Sequence, residues 1–326
     1  MKILLTGASG FVGSHILDSL RKQGLPTVLL LRPTSDKRCI TQHLAEVEVR
    51  TGSISDPASL RQAMADITHV IHCAGATKAL PVSDFFKVNE VGTRNVVSAV
   101  NETRPQVARL VHISSLAAAG PAAPDKPARE DLPPEPVSHY GKSKLAGELE
   151  VKHHCRAEHV ILRPPAVYGP RDEEFLRLFK AVKHHLLPSM GGAQALSLVF
   201  VKDLAQAAVN CLTDPAAAGK TFFVAGREVV TARAMAQEIA AQMQVWTLPL
   251  PLPTPLLWPI CLAQEAWSRL TRKPNVLSLQ KFAELRAPGW VCDPSRLERD
   301  TGYACATTLK DGIGETLLWY RQQHWL

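Results

Sequence analysis

The chain has 326 residues, of which 46% are hydrophobic and 21% are charged, so it can bury a core and has room for about two domains. Its 37 basic and 30 acidic residues give a formal charge of +7. That charge suits an anionic ligand or surface, whereas no run of lysine and arginine indicates a nucleic-acid partner. Seven scattered cysteines without a C-x-x-C pair argue against a disulfide framework or a metal site and suit a reducing compartment. The early apolar run Ile3–Leu5, followed at once by glycines, predicts no signal peptide and hence a cytoplasmic protein.

Short apolar runs alternate with helical patterns through the first half of the chain. The predicted strands are Ile3–Thr6, Thr27–Leu31, Val47–Arg50, Val70–Cys73, Leu110–Ser114 and His159–Leu162. The predicted helices between them are Val12–Arg21, Ser59–Ala65, Phe85–Asn101 and Lys142–His153. Strands rich in Val, Ile and Leu that alternate with helices are typical of a parallel sheet covered on both faces. The sequence therefore predicts an α/β fold with a doubly wound parallel sheet.

Two stretches interrupt this alternation. Gly120–Pro136 holds six prolines and is predicted to be a surface loop and a candidate wall of a site. Val245–Gln264 has no charged residue and is long enough to span a bilayer. Its five prolines argue against a spanning helix, since each costs about 3 kcal/mol in a helix interior. Two interpretations stay open: a buried segment of a substrate lobe, or an apolar lip that contacts a membrane, with an amphipathic helix over Leu256–Leu270.

A glycine-rich turn follows the first strand and opens the first helix. Its glycines, Gly7, Gly10 and Gly13, are spaced G-x-x-G-x-x-G. In this pattern the first allows a tight turn, the second lets the backbone approach a pyrophosphate, and the third lets helix pack on strand. The helix N-terminus adds free N–H groups and a partial positive charge. The position between a strand and a helix predicts a dinucleotide site.

The residue at the end of the second strand indicates which ribose is bound. An acidic residue there would bind the 2′-hydroxyl of NAD, whereas an arginine accommodates the 2′-phosphate of NADP. This chain has Arg32, which predicts NADP(H) in preference to NAD(H). The alternative interpretation of Arg32 is a solvated charge at a strand end.

Tyr140 and Lys144 are four residues apart and share one face of a helix. The pKa of a free tyrosine is about 10, and we expect the nearby ammonium to lower it. A phenol tuned in this way can give a proton to a carbonyl oxygen, or take one from an alcohol, while hydride is transferred. Ser114 and Ser115 end the fifth strand, and a hydroxyl there can hydrogen-bond the reacting oxygen.

With these motifs, the chain resembles the extended short-chain dehydrogenase/reductases (the NAD-dependent epimerase/dehydratase family), nearest the dihydroflavonol reductase and 3β-hydroxysteroid dehydrogenase branch. The segments that carry the resemblance are Thr6–Gly13, Val70–Gly75, Val88–Asn95, Val111–Ser115, Tyr140–Lys144, Leu162–Pro170, Val199–Leu204 and Trp290–Leu326. It implies a Rossmann-type domain over residues 1–165, to which 195–215 return, and a smaller, mainly substrate-binding lobe over 166–326. It also implies a homodimer through Phe85–Asn101 and Lys142–His153.

The resemblance also implies roles for individual residues. Tyr140 would be the acid–base, Lys144 its partner, and Ser115 the residue that holds the reacting oxygen, with Ser114 as the second choice. The cofactor would be bound by Gly7, Gly10, Phe11, Val12, Arg32, Ser53, Ile54, Cys73, Ala74, Gly75, Asn89, Ser114, Tyr140, Lys144, Pro164 and Val167. Relatives often carry Asp at the position of Ser53, so this contact departs from the family pattern.

Three departures separate the chain from the nucleotide-sugar enzymes of the family. Those enzymes usually have Asn and Arg where this chain has Ala166 and Leu196, and a diphosphate needs such donors. Leu116–Ala119, beside the active-site serine, is also apolar. We therefore expect an NAD(P)(H)-dependent oxidoreductase that interconverts a ketone and a secondary alcohol on a steroid-, flavonoid- or lipid-like substrate. The alternatives are a nucleotide-sugar epimerase of the same family and a non-catalytic NADP-binding redox sensor.

Overall fold

The computed structural model describes residues 1–103, 107–190, 194–252, 262, 284 and 286–326. In the first half of the chain the elements are β1 (Ile3–Thr6), α1 (Phe11–Lys22), β2 (Thr27–Leu31), β3 (Glu48–Thr51), α2 (Pro57–Ala63), β4 (His69–His72), α3 (Ser83–Phe86), α4 (Gly92–Glu102), β5 (Arg109–Ile113), α5 (Leu116–Ala119), α6 (His139–His154) and β6 (Glu158–Arg163). In the second half they are β7 (Ala166–Tyr168), α7 (Glu173–Lys183), β8 (Leu186–Met190), β9 (Ala195–Phe200), α8 (Val201–Asn210), β10 (Thr221–Phe223), β11 (Val229–Thr231), α9 (Ala232–Met243), β12 (Leu248–Leu252), β13 (Gly289–Trp290), α10 (Ser295–Thr301) and α11 (Leu309–Gln322).

Seven strands form one sheet in the order β10-β6-β5-β4-β1-β2-β3, and all neighbouring pairs are parallel. The six predicted strands are confirmed, with ends that shift by one residue or less. β10 was not predicted, because its three residues are too few to show a pattern. Every residue of β1, β2 and β5 is buried, so helices cover both faces of the central strands as the apolar composition indicated.

The strand order reverses between β1 and β4. The chain moves from β1 outward through β2 and β3, then crosses back to place β4 on the other side of β1. In an open parallel sheet, ligands bind outside the carboxyl ends of the strands at such a reversal. Thr6 and His72, the last residues of β1 and β4, lie opposite each other at this point. The glycine-rich turn, which follows β1, therefore lies where ligands bind in sheets of this topology.

The helical segment after β4 differs from its prediction. Instead of one regular helix over Phe85–Asn101, α3 and α4 are joined by a π-helical turn over Lys87–Val91. A π-turn accommodates an extra residue within a helix and is frequent near functional sites. Here it accompanies the inward placement of Asn89, which is only 1% exposed and whose backbone oxygen accepts a hydrogen bond from the Thr93 hydroxyl at 2.7 Å.

The second half of the chain contributes to both lobes. α8 packs on α1, where the Ser19 hydroxyl donates a hydrogen bond to Gln206 Oε1 at 3.1 Å, and β10 extends the main sheet. A smaller sheet has the order β11-β9-β13, with β7 also paired to β9, and β8 pairs with β12. α7, α9 and α11 pack together around buried residues such as Phe179 and Tyr320. The division of the chain at residue 165 stays a prediction.

The proline-rich loop over 120–136 is fastened to the second lobe. Ala122 forms a β-bridge to Trp290, and Ala128 forms another to Cys292. Most of the apolar segment 245–264 and of the predicted helix Leu256–Leu270 lies outside the described residues. Within the described ranges, no helix has both the length and the apolar character needed to cross a bilayer.

Candidate active site

A cleft of about 2250 Å³ lies at the carboxyl ends of the central strands and extends to the second lobe. Pockets for one small ligand usually measure roughly 300–1,000 Å³, so this cleft has room for a cofactor and a substrate together. Its lining contains the predicted residues Gly7, Gly10, Phe11, Val12, Arg32, Ser53, Ile54, Cys73, Ala74, Gly75, Ser114, Ser115, Tyr140, Lys144, Pro164 and Val167. Of the residues predicted for the site, Asn89 alone does not line it.

The glycine-rich turn forms a cradle, here called the glycine cradle, because side chains at its glycine positions would collide with the backbone around it. Gly7 has a φ of +76°, and a Cβ there would stand 2.6 Å from the backbone nitrogen of Ala74. A Cβ on Gly13 would stand 2.1 Å from the carbonyl oxygen of Gly7. α1 begins at Phe11, directly after this turn, so its first N–H groups have no acceptor within the helix. The residues present therefore fit the pyrophosphate of a dinucleotide.

Arg32 lies at the edge of the cleft, just beyond β2. Its backbone N–H donates to the Ser35 hydroxyl at 3.1 Å, and the Ser35 N–H donates to the Arg32 carbonyl at 3.0 Å. Within the described part of the chain its guanidinium has no ion pair, whereas neighbouring Arg38 is paired with Asp36 at 2.7 Å. No described acid therefore neutralises the Arg32 guanidinium.

Asn89 supports the cleft from behind its wall. Its amide oxygen accepts from the Ala76 N–H at 2.8 Å, and its amide nitrogen donates to the Ala76 carbonyl and to the Ser143 hydroxyl, both at 2.9 Å. These hydrogen bonds occupy both the oxygen and the nitrogen of the Asn89 side-chain amide. Asn89 therefore holds the loop after β4 against α6, and its contact with a cofactor stays a prediction.

Two capped helices bring Ser115 and Tyr140 together. The Ser115 hydroxyl caps α5 by accepting from the Ala117 N–H at 3.1 Å, and Ser138 caps α6 by accepting from the Gly141 N–H at 3.1 Å. Because of the Ser138 cap, α6 begins at His139, earlier than the predicted Lys142. A Cβ on Gly141 would stand 2.2 Å from the Ala117 carbonyl oxygen, so only glycine permits this contact. The sequence did not reveal the importance of Gly141, although this residue directly follows Tyr140 in the motif that ends at Lys144.

Burial controls the acid–base properties of the pair. It raises the pKa of Tyr140 to about 12, and the nearby Ser115 hydroxyl offsets only part of this effect. Burial also lowers the pKa of Lys144 to about 8, against the opposing effects of Cys73 and Glu148. The expected net lowering of the phenol pKa is therefore not seen: desolvation is the largest influence and raises the pKa above its ordinary value of 10. Lys144 Nζ donates to the Ile113 carbonyl at 2.7 Å, which anchors it beneath the cleft.

The two serines at the end of β5 have different surroundings. The Ser114 hydroxyl donates to Glu148 Oε1 at 2.6 Å, and Arg163 binds the same carboxylate through Nε at 2.8 Å and Nη2 at 2.6 Å. All three side chains are buried. Ser114 is thus engaged in a structural cluster, whereas the Ser115 hydroxyl faces Tyr140. The sequence did not reveal this cluster, because its members come from β5, α6 and β6.

The part of the cleft that faces the second lobe carries a group of apolar side chains beside polar ones such as Gln194, Ser197 and Gln323. Leu116, Ala166, Leu196 and Trp290 line it, together with Trp319 and Trp325 near the end of the chain. Ala166 and Leu196 are the positions where the nucleotide-sugar enzymes were expected to carry Asn and Arg, and both contribute directly to the lining. The two C-terminal tryptophans were not predicted, since nothing in their local sequence indicates a site.

Comparisons with known proteins agree with this architecture. The ceramide reductase of Caulobacter vibrioides is 32% identical over 326 residues, which cover 99% of this chain and 96% of the relative. The UDP-glucose 4-epimerase of Vibrio cholerae is 27% identical over 334 residues, or 96% of this chain and 94% of the relative. The crystal structure of the Bordetella bronchiseptica enzyme WbmG in complex with NAD and UDP matches with a TM-score of 0.79 at 23% identity, covering 99% of this chain and 96% of that one, and this likeness shows the fold.

The family assignment rests on the sequence matches. The sequence model of the NAD dependent epimerase/dehydratase family matches residues 3–226, which is more than half of the chain. Together with the relative of 32% identity, it establishes the predicted resemblance. The chain belongs to the NAD-dependent epimerase/dehydratase family and is an NAD(P)-dependent enzyme of the extended short-chain dehydrogenase/reductase type.

Proposed function

We propose that the protein is an NADPH-dependent reductase that interconverts a ketone and a secondary alcohol on a lipid-like substrate. One observation carries the proposal: Ser115, Tyr140 and Lys144 lie in the same cleft as the glycine cradle, beside an apolar wall. This arrangement supports the proposal that Tyr140 donates a proton between a bound dinucleotide and an apolar substrate.

The chemistry follows from the states of these side chains. When bound, a nicotinamide cofactor supplies hydride to a carbonyl carbon or accepts it from an alcohol. With a pKa of about 12, Tyr140 keeps its proton at neutral pH and donates it to the carbonyl oxygen as negative charge develops there. Ser115 donates a hydrogen bond to the same oxygen. The Lys144 ammonium then stabilises the phenolate that Tyr140 leaves behind.

The choice of NADPH rests on Arg32. The end of β2 carries this arginine in place of an acidic residue, and its guanidinium has no ion pair within the described residues. A guanidinium can bind a phosphate through two parallel hydrogen bonds. We infer that Arg32 binds the 2′-phosphate, while Ser53 and Ile54 contact the adenine and Gly7, Gly10, Phe11 and Val12 hold the pyrophosphate.

The substrate class rests on the apolar wall and on one relative. Leu116, Leu196 and Trp290 offer contact area to hydrocarbon but no charge to a diphosphate. The Caulobacter relative is a ceramide reductase by name, and it aligns along almost the whole chain. We infer a ketone that bears long apolar chains, of the kind that a ceramide carries.

A nucleotide-sugar epimerase is the second candidate. It is favoured by the Vibrio relative, which is a UDP-glucose 4-epimerase and covers 96% of this chain. Ala166 and Leu196 weigh against it, because they place no hydrogen-bonding side chain on this part of the cleft. The presence of Tyr140 and Lys144 disfavours a non-catalytic redox sensor. The homodimer and the cytoplasmic location stay predictions.

The test is to follow the oxidation of NADPH and NADH with long-chain ketones and with UDP-sugars. We expect NADPH oxidation with a long-chain ketone, and loss of turnover by at least about a hundredfold in Tyr140→Phe, since general acid catalysis contributes roughly 10²–10⁴-fold. Cofactor binding should survive, because the substitution removes only one oxygen. Conversion of a UDP-sugar without net cofactor oxidation would instead establish the epimerase. Full activity of Tyr140→Phe would refute the proposed role of the phenol.

A further inference from the structure

Three large apolar side chains are exposed together on the second lobe, just beyond the C-terminal end of α7. Leu186 begins β8 and lies opposite Leu248 of β12, whose N–H donates to the His185 carbonyl at 2.8 Å. The exposed fractions are 44% for Leu186, 60% for Leu248 and 64% for Trp246. We refer to Leu186, Trp246 and Leu248 as the apolar tip. Exposed large apolar groups that cluster in this way mark an interaction surface.

The tip is held outward by specific contacts. The Trp246 ring stacks on the His185 ring with centroids 4.2 Å apart and planes 13° from parallel. A His185 ring nitrogen lies 2.8 Å from the Trp246 carbonyl oxygen. These two contacts fix the tryptophan without burying it. A tryptophan in such a position can enter the boundary between water and hydrocarbon, where its ring is favourably placed.

A strip of basic residues leads to the tip along α7. Leu176, Phe179 and Val182 form the buried face of this helix, and its exposed residues include Arg177, Lys180 and Lys183. None of these three cations has an ion pair with another described residue. The acids of the same helix are at its far end, where Glu173 faces Arg38 and Glu174 binds Lys78. The surface beside the tip is therefore positively charged.

We propose that the apolar tip docks on a lipid bilayer that contains anionic lipids. Trp246, Leu186 and Leu248 would enter the headgroup region, while Arg177, Lys180 and Lys183 would contact the anionic headgroups. Charge decides between this occupant and a second copy of the chain. A symmetric dimer through the tip would bring two basic strips together, which repel each other, whereas an anionic surface is complementary to them.

The test is co-sedimentation of the purified full chain with vesicles, which requires no turnover and so does not depend on the proposed reaction. We expect binding to equimolar phosphatidylcholine and phosphatidylglycerol, weak binding to phosphatidylcholine alone, and release by high salt. The double variant Trp246→Ser with Leu248→Ser should lose affinity for these vesicles by about tenfold or more. Lys180→Glu with Lys183→Glu should have the same effect on anionic vesicles.

Matched variants separate the tip from the general surface. Val229→Ser with Leu132→Ser removes side chains that are 48% and 42% exposed at other places, and Lys22→Glu with Lys126→Glu reverses two exposed charges outside the strip. Both controls should bind like the unmodified chain, and circular dichroism should show every variant folded. Absence of vesicle binding, or equal loss in tip and control variants, would overturn the proposal. So would a dimer of the unmodified chain that the tip variants convert to a monomer.

Discussion

Lys144 is a buried basic residue whose charge is costly to keep in the folded chain. It is 5% exposed, yet the role that we propose for it requires a charge that can stabilise a phenolate. Burial lowers the pKa of Lys144 from the ordinary 10.5 to about 8, so its ammonium is less stable in the folded chain than in the unfolded one. At 1.36 kcal/mol per pH unit this difference corresponds to about 3 kcal/mol against folding at neutral pH. Catalytic sites commonly keep such costs because the charge is needed for function.

We therefore predict that Lys144→Met is more stable than the unmodified chain at pH 7, while its reductase activity is lost. The gain should be about 1–3 kcal/mol, because the lost bond to the Ile113 carbonyl offsets part of the removed cost. The gain should be constant below pH 8. The gain should shrink between pH 8 and 10.5, because in this range Lys144 loses its proton in the folded chain but keeps it in the unfolded one. Urea unfolding at pH 7 and pH 10 measures it. A variant that is less stable at pH 7 would contradict this account.

Arg32 gives a second prediction at the level of one residue. Arg32→Asp should weaken NADPH binding by at least tenfold more than NADH binding, since it replaces a cation by an anion that repels the 2′-phosphate and suits a 2′-hydroxyl. Fluorescence titration with both cofactors measures the ratio. Lys22→Asp, which also reverses an exposed charge, should change neither affinity. Equal loss of both affinities in Arg32→Asp would remove the guanidinium from the 2′-phosphate site.

The contact between α5 and α6 determines how Ser115 lies relative to Tyr140 and Lys144. Ser115, which we propose holds the reacting oxygen, caps α5, and α6 carries Tyr140 and Lys144. Gly141 lets the first turn of α6 approach the Ala117 carbonyl more closely than any other residue would allow. Asn89 and the Glu148–Arg163 pair fix other parts of α6 to the β4 loop and to β6. The helix is thus held at several points, each through a buried polar contact.

We predict that Gly141→Ala reduces kcat by at least about a hundredfold. An added Cβ would stand 2.2 Å from a backbone oxygen, so α6 must move and carry Tyr140 away from Ser115. Gly314→Ala in α11 is the matched control, because its Cβ would meet only the flexible Gln242 side chain at 3.0 Å. The control should keep full activity. Steady-state kinetics of both variants checks the prediction, and normal turnover of Gly141→Ala would show that the contact is not required.

At the level of the whole molecule, the two lobes are joined across the cleft by charged side chains. Lys78, which follows β4, binds Glu174 of α7, and Arg38, which follows β2, lies 3.7 Å from Glu173. These pairs are partly exposed, so each contributes little to stability. A cofactor bound as we propose would contact the ends of the main sheet and, through Val167 of β7, the second lobe. Binding should therefore stabilise the folded chain as a unit.

We predict that saturating NADPH raises the melting temperature by several degrees. A ligand at a hundred times its Kd stabilises the folded state by about 2.7 kcal/mol. Differential scanning fluorimetry with NADPH and with NADH at equal concentrations measures the effect, and NADH should give the smaller shift. Gly7→Ala should abolish the shift, since its Cβ would meet the Ala74 backbone at 2.6 Å. No shift with either cofactor would contradict binding in this cleft.

The amino-acid sequence alone determined the central sheet, the glycine cradle and the face shared by Tyr140 and Lys144. These features depend on spacing along the chain: buried parallel strands are apolar throughout, a tight turn needs glycine, and residues four apart share a helix face. Tertiary structure decided the rest. It bonded Ser114 to Glu148, bonded Asn89 to the loop after β4, and buried Tyr140 so that its pKa lies above the ordinary value. Each of these outcomes depends on desolvation and on partners distant in sequence, and only the folded chain brings them together.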